Sequence, residues 1–204
     1  PPEVSDNVTV LEPPLLAIGS MSQDSVSCNG LSDGTATANN ITGGTGSYNY
    51  LWSDGQTTNP ATGLGIGTYT ITVTDQNGCQ VSDNVTVLEP PLLAIGSMSQ
   101  DSVSCNGLFD GTATANNITG GTGSYNYLWS DGQTTNPATG LGIGTYTITV
   151  TDQNGCQVSD NVTVLEPPLL AIGSMSQDSV SCNGLSAGTA TATNITGGTG
   201  SYNY

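Results

Sequence analysis

Gly67-Thr68-Tyr69-Thr70-Ile71-Thr72-Val73-Thr74-Asp75-Gln76-Asn77-Gly78-Cys79 is the stretch that decides the fold. Tyr69, Ile71 and Val73 alternate with threonines. A period of two puts aromatic and branched side chains on one face and hydroxyls on the other, the mark of a half-buried strand. Asn77-Gly78 follows, and both residue types tolerate the positive φ of a tight hairpin turn. Val85 and Val87 carry the alternation into the returning strand. Working outward, Tyr48, Tyr50 and Trp52 alternate with Asn49, Leu51 and Ser53, and Leu15 to Ile18 and Thr35 to Ile41 supply two further strands. Asn29-Gly30, Asp33-Gly34, Gly43-Gly44 and Asp54-Gly55 mark bends between them. No helical period of useful length is present, and 28 Gly and 10 Pro argue against one. Six or seven short strands per unit predict an all-β chain built of small antiparallel β-sandwiches.

The expected core is Tyr50, Trp52, Tyr69, Ile71 and Val73, with Tyr127, Trp129, Tyr146, Ile148 and Val150 one period later. Residues 4–80 return as residues 81–157 with Ser32 replaced by Phe109, and a third copy runs from Val158 to Tyr204. In that copy Asp33 becomes Ala187 and Asn39 becomes Thr193. A fixed period signals a tandem array in which each unit mainly touches its neighbours. The boundaries expected are 1–12 as the last strand of a preceding repeat, 13–89 and 90–166 as complete sandwiches, and 167–204 as the first half of a third. The joint Val87-Leu88-Glu89-Pro90-Pro91-Leu92-Leu93 holds two prolines and no Gly/Ser spacer, which predicts a stiff, short connection and a semi-rigid rod. A tyrosine placed as Tyr69 is suits the tyrosine corner of immunoglobulin-like sandwiches, and Trp52 sits where such domains keep a core tryptophan.

Composition excludes several roles. The chain has no Lys, Arg or His against 16 Asp plus Glu, a formal charge of −16. Nothing in it can neutralise phosphates, so no nucleic acid is an expected partner, and no apolar run is long enough for membrane insertion. A Ser nucleophile would lack a base, and no two acids form a recognisable motif, so no enzyme is expected. The five cysteines are Cys28, Cys79, Cys105, Cys156 and Cys182. Pairing within a unit, Cys28 with Cys79 and Cys105 with Cys156, is the favoured reading and leaves Cys182 unpaired. Pairing between units, Cys79 with Cys105 and Cys156 with Cys182, and free buried thiols are the alternatives. Metal-thiolate chemistry is not indicated, since no CxxC and no His occur.

The unit also reads Cys28-Asn29-Gly30, then Gly43-Gly44-Thr45-Gly46-Ser47-Tyr48-Asn49-Tyr50-Leu51-Trp52, then Gly67 to Cys79, then Val85-Thr86-Val87-Leu88-Glu89-Pro90. This combination resembles the SprB repeat of Bacteroidetes surface proteins, with Ser47 where that family usually has Pro. The resemblance covers nearly the whole chain. It implies an immunoglobulin-like or PKD-like sandwich, secretion by the type IX system, display on the cell surface, and large filamentous adhesins used in gliding motility.

Three chemical sites remain as expectations. Asp24-Ser25-Val26 and its copies make Ser25, Ser102 and Ser179 candidates for O-glycosylation, since the tripeptide resembles the Asp-Ser/Thr-apolar site of Bacteroidetes secreted glycoproteins. Asp75 and Asn77, with Asp152 and Asn154, offer alternating oxygens as calcium loops do; a solvated turn explains them equally, and no cofactor is otherwise expected. Phe109, the one Phe in the chain, is a candidate contact for a partner. The function expected is a structural stalk segment of an extracellular filament or adhesin. The alternatives are a glycan- or cell-binding module in each repeat, and lateral assembly into a multi-chain fibre. Partners would be other repeats of the same chain, surface glycans or neighbouring filaments.

Overall fold

The structure is a computed structural model that describes residues 8–203. It divides into two compact units, residues 1–92 and 93–204. In the first, β1 (Ser20–Asp24), β2 (Gly34–Asn39) and β4 (Ala61–Leu64) form one antiparallel sheet in the order β1-β2-β4. β3 (Asn49–Trp52), β5 (Gly67–Thr74) and β6 (Gln80–Val87) form the other, in the order β3-β5-β6. This is the immunoglobulin-like arrangement of two three-stranded sheets, all-β as the alternation predicts. The hairpin register is regular over the whole length of β5 and β6, from Gly67 opposite Val87 to Thr74 opposite Gln80. Threonine and serine hydroxyls pair across its outer face, Thr68 with Thr86 at 2.9 Å and Thr72 with Ser82 at 3.0 Å.

Between the sheets lies a core of Val26, Ala36, Ala38, Trp52, Ala61, Leu64, Ile71, Val73 and Val87. Trp52 is 1 % exposed, and its indole N–H donates to the Thr58 carbonyl at 2.9 Å. Ile71 and Val73 are fully buried, while Tyr50 and Tyr69 are half-buried against the core. The small alanines of β2 and β4 leave room for the one large indole opposite them. The Tyr69 hydroxyl donates to the Gly65 carbonyl at 3.2 Å, which makes it a tyrosine corner at the start of β5.

The second unit repeats this. β7 (Ser97–Asp101), β8 (Gly111–Asn116) and β10 (Ala138–Leu141) form one sheet, and β9 (Asn126–Trp129), β11 (Gly144–Thr151) and β12 (Gln157–Val164) the other. Trp129, Ile148 and Val150 are buried, with Tyr127 and Tyr146 half-buried beside them. β13 (Ala171–Asp178) pairs with β14 (Thr189–Thr196). Ile172 and Met175 on this pair are exposed, because the strands that cover their counterparts in the complete repeats follow later in the period.

Three details differ from the sequence expectations. Leu15 to Ile18 forms no strand; only Ala17 pairs there, with Thr42, and the edge strand is the more polar Ser20–Asp24. β4 lacks any alternating run, and its approach is organised by Asn59, whose amide accepts from Ala38 N–H at 2.9 Å and donates to Ala38 C=O at 2.7 Å. Residues 1–7 of the expected leading strand lie outside the described residues, and residues 8–12 form no strand. The counterpart of that segment, Val85–Val87 in β6, pairs with Gly67–Tyr69 of β5.

Candidate functional site

The two poles of each sandwich are the candidate site, because they receive and release the chain. At the first pole the chain arrives through Pro13, Pro14, Leu15 and Leu16 and lies in a shallow groove with Gly44 and Cys79. Gly44 N–H donates to Pro14 C=O at 2.7 Å, and Ala17 and Thr42 exchange bonds at 2.9 and 3.0 Å. Gly43 has φ +75°, and a Cβ there would fall 1.9 Å from the Leu15 carbonyl oxygen, so only glycine lets the arriving chain lie this close. Leu16 is buried.

Asp75 builds this pole. It is only 2 % exposed, with Oδ1 accepting from Asn77 N–H at 2.9 Å and Cys79 N–H at 2.8 Å, and Oδ2 from Thr45 N–H at 2.9 Å. One carboxylate thus closes the hairpin turn and ties it to the loop before β3. Burial, the largest single influence, pushes the Asp75 carboxyl up, but the N–H groups of Thr45, Cys79 and Asn77 outweigh it and hold the carboxyl below its ordinary value. Asp152 repeats the arrangement with Thr122, Asn154 and Cys156 at 2.8, 2.9 and 2.8 Å, and is shifted down for the same reason. These are the residues expected to offer oxygens to calcium. Their carboxylate oxygens face backbone donors, and the backbone N–H groups of Asn77 and Asn154 point into the same cage. Among the described residues no group of three or more acidic, His or Cys side chains converges as a metal site would require.

At the opposite pole the chain leaves through Leu88, Glu89 and Pro90. Val26 N–H donates to Leu88 C=O at 3.0 Å, Asn29 Nδ2 to Pro90 C=O at 3.1 Å, and Gly30 N–H to Glu89 Oε2 at 2.9 Å. Asp33 fixes the same loop by accepting from Ser27 N–H at 2.9 Å and from the Ser27 hydroxyl. The Ser27 hydroxyl, its backbone N–H following in weight, holds the Asp33 carboxyl below its ordinary value. The second unit matches, with Asn106 on Pro167 at 3.1 Å, Gly107 on Glu166 at 3.0 Å, and Asp110 on Ser104. In the third copy Ala187 replaces this aspartate.

The cysteines correct the sequence reading. Cys28 and Cys156 are disulfide-bonded, while Cys79, Cys105 and Cys182 are exposed free thiols. Neither Cys28 with Cys79 nor Cys105 with Cys156 is bonded, and the same holds for Cys79 with Cys105 and Cys156 with Cys182. The reason is the length of β6. Cys79 precedes its first residue and Cys28 sits beside its far end, so the eight residues of β6 separate them by about 25 Å, against the roughly 6 Å between Cα atoms that a disulfide needs.

Ser25, Ser102 and Ser179 are all exposed, each beside a strand-end aspartate. Phe109 is 75 % exposed, and its ring lies over Gly142, where a Cβ would come within 2.8 Å. The roles of Asn59, Glu89 and Asp33 escaped the sequence reading. Repetition of Glu89-Pro90 and Asp33-Gly34 at matching places was the one available signal.

The SprB repeat matches residues 20–57, 97–134 and 174–204. The chain belongs to the SprB repeat family. Comparison with curated proteins finds no match. SprB repeats are found in secreted surface adhesins.

Proposed function

We propose that these SprB repeats form a stalk segment of an extracellular surface filament, holding a binding tip away from the cell. The observation that carries this is the placement of the two poles. Within one sandwich the chain arrives beside the β5–β6 turn and leaves beside Val26 and Gly30, at the other end of β6. A domain whose chain ends lie at opposite poles adds length with every copy, whereas one with adjacent ends need not. Proline at both poles, Pro13-Pro14 and Pro90-Pro91, restricts the connection to extended conformations. The charge of −16 without one cation adds mutual repulsion that favours extension.

Glycan or cell-surface binding by each repeat is the reading to test against. Phe109 favours it as an exposed aromatic, but the first repeat has Ser32 in its place and the third Ser186, so the surface is not a property of the repeat. The test puts the chain through glycan-array and cell-adhesion assays. The stalk reading expects the repeats to bind neither glycans nor cells. Saturable glycan or cell binding by the repeats would overturn it. Export by the type IX route, gliding motility and glycosylation at Ser25, Ser102 and Ser179 belong to the same proposal, supported by the family and by the exposure of those serines.

A further inference from the structure

In the first unit β6 is the longest edge strand, eight residues at the end of the order β3-β5-β6. In an antiparallel ladder the N–H and C=O of one residue point the same way, and successive residues alternate. Thr70 turns its C=O toward β3, where it accepts from Ser53 N–H at 2.8 Å. Asn84, opposite Thr70, therefore turns its backbone groups away from β5. Gln80, Ser82 and Thr86 do the same by alternation. Leu88 continues the series, and its C=O accepts from Val26 N–H at 3.0 Å. That bond closes the far end of the edge, and residues 80–86 have no further strand beside them among the described residues. The shorter edges β3 and β4 are closed by Gln56. Its C=O accepts from Trp52 N–H at 2.8 Å, and its side-chain amide bonds Thr62 N–H and C=O at 3.0 and 2.9 Å. The core-facing side of β6 reads Val81, Asp83, Val85 and Val87. Asp83 lies opposite the fully buried Ile71, yet is itself exposed. Its Oδ1 accepts from Asn84 N–H at 2.8 Å, a donor that faces the free side. A charge on the apolar face of an edge strand opposes pairing with another strand.

We propose that β6 is a self-complementary pairing edge for a second copy of this chain, and that Asp83 holds it shut. The two longest antiparallel registers that keep both apolar faces on one side decide the point. One centres on Asp83. It sets Val81 opposite Val85, and Asp83 opposite the same residue of the second copy, with their Cβ atoms about 5 Å apart. The other centres on Asn84. It sets Val81 opposite Val87 and needs the Asn84 N–H that Asp83 occupies. In both, the carboxylate gives up its bond and part of its water, and in the first it also meets its own charge. β12 has the same sequence, and Asp160 accepts from Asn161 N–H at 2.8 Å, so the second unit carries the same block. An array of near-identical repeats offers this edge once per period, and one acid in each complete repeat keeps neighbouring chains apart. The inference does not rest on the stalk reading, since a glycan-binding array would need the same protection.

The test compares the 204-residue chain, its free thiols alkylated, with Asp83→Val by sedimentation equilibrium. One molar salt shortens the Debye length to about 3 Å, so the overall charge of −16 no longer separates the chains. Asp83 is exposed and valine suits a strand, so the variant keeps its core. Asp83→Val should associate at least tenfold more tightly than the wild type and stop at a dimer, because a two-fold pairing uses up the edge. Hydrogen exchange at the Ser82 and Asn84 amides should slow as the dimer forms. Ser82→Pro in the Asp83→Val background removes an edge N–H and should return the monomer. If Asp83→Val precipitates, Asp83→Thr makes the same comparison with a more soluble side chain. Three results overturn the proposal: association less than tenfold tighter than the wild type's, a dimer whose Ser82 and Asn84 amides exchange as in the monomer, or a dimer that survives Ser82→Pro.

Discussion

Gly43→Ala should unseat the start of the first repeat. At φ +75° an alanine costs about 1–2 kcal/mol relative to its preferred backbone region. Its methyl group would also lie 1.9 Å from the Leu15 carbonyl oxygen and 2.6 Å from the carbonyl carbon, and backbone atoms cannot give way as a flexible side chain would. Relief requires Pro14–Leu16 to leave the groove. That sacrifices the bond from Gly44 N–H to Pro14 C=O, worth about 1 kcal/mol, and the burial of Leu16, worth about 2 kcal/mol. The total is about 4–5 kcal/mol, a large part of the roughly 4–11 kcal/mol expected for a domain of this length. Urea denaturation read by Trp52 fluorescence, in a Trp129→Phe background, isolates the first repeat. Gly55→Ala is the control, since Gly55 has φ +92° with nothing within 4 Å of an added Cβ and should lose only the backbone share. If Gly43→Ala costs no more than Gly55→Ala, the arriving segment is not seated as described and the connector argument loses its first pole.

The remaining predictions concern the carboxylates, the core and the serines. Asp75 and Asp152 have folded values held below the ordinary carboxylate range, so their contribution is present above that range and is lost as pH falls through the folded value. Acid titrations followed by circular dichroism should show stability falling below about pH 4, and Asp75→Asn should lower stability at neutral pH and flatten that fall. Unchanged acid sensitivity in an Asp75→Asn, Asp152→Asn double variant would refute the assignment. Trp52→Ala should cost about 3–5 kcal/mol by removing the largest core side chain, measured by urea denaturation followed by circular dichroism. Intact-mass spectrometry of the chain from its native host should show added hexose mass that falls stepwise with Ser25→Ala, Ser102→Ala and Ser179→Ala; no added mass would remove the glycosylation proposal.

Legibility followed side-chain periodicity. β5 and β6 were readable because Tyr69, Ile71, Val73, Val85 and Val87 alternate, and the tyrosine corner because Tyr69 opens that run. β1 was not, since Ser-Met-Ser-Gln-Asp covers only one face of an edge strand and carries little apolar signal. β4 was not, because Ala61 and Leu64 are spaced across a Gly and its placement depends on the Asn59 amide pairing with Ala38, a contact 21 residues away in sequence. Asp75 was visible as a turn residue, but its burial depends on Thr45 from a distant loop. The cysteine pairing failed for a similar reason. Sequence separation makes Cys28 and Cys79 look like members of one unit, and only the direction of β6 shows that they mark its opposite ends.

The central claim is that each repeat receives the chain at one pole and releases it at the other, so that copies add length. Small-angle X-ray scattering on chains with two, four and six complete repeats tests it most directly. The account predicts a maximum dimension that grows linearly, by at least about 25 Å per repeat, the length of the eight-residue strands β5 and β6. A maximum dimension that grows only as the cube root of repeat number, as a compact globule's does, would contradict it.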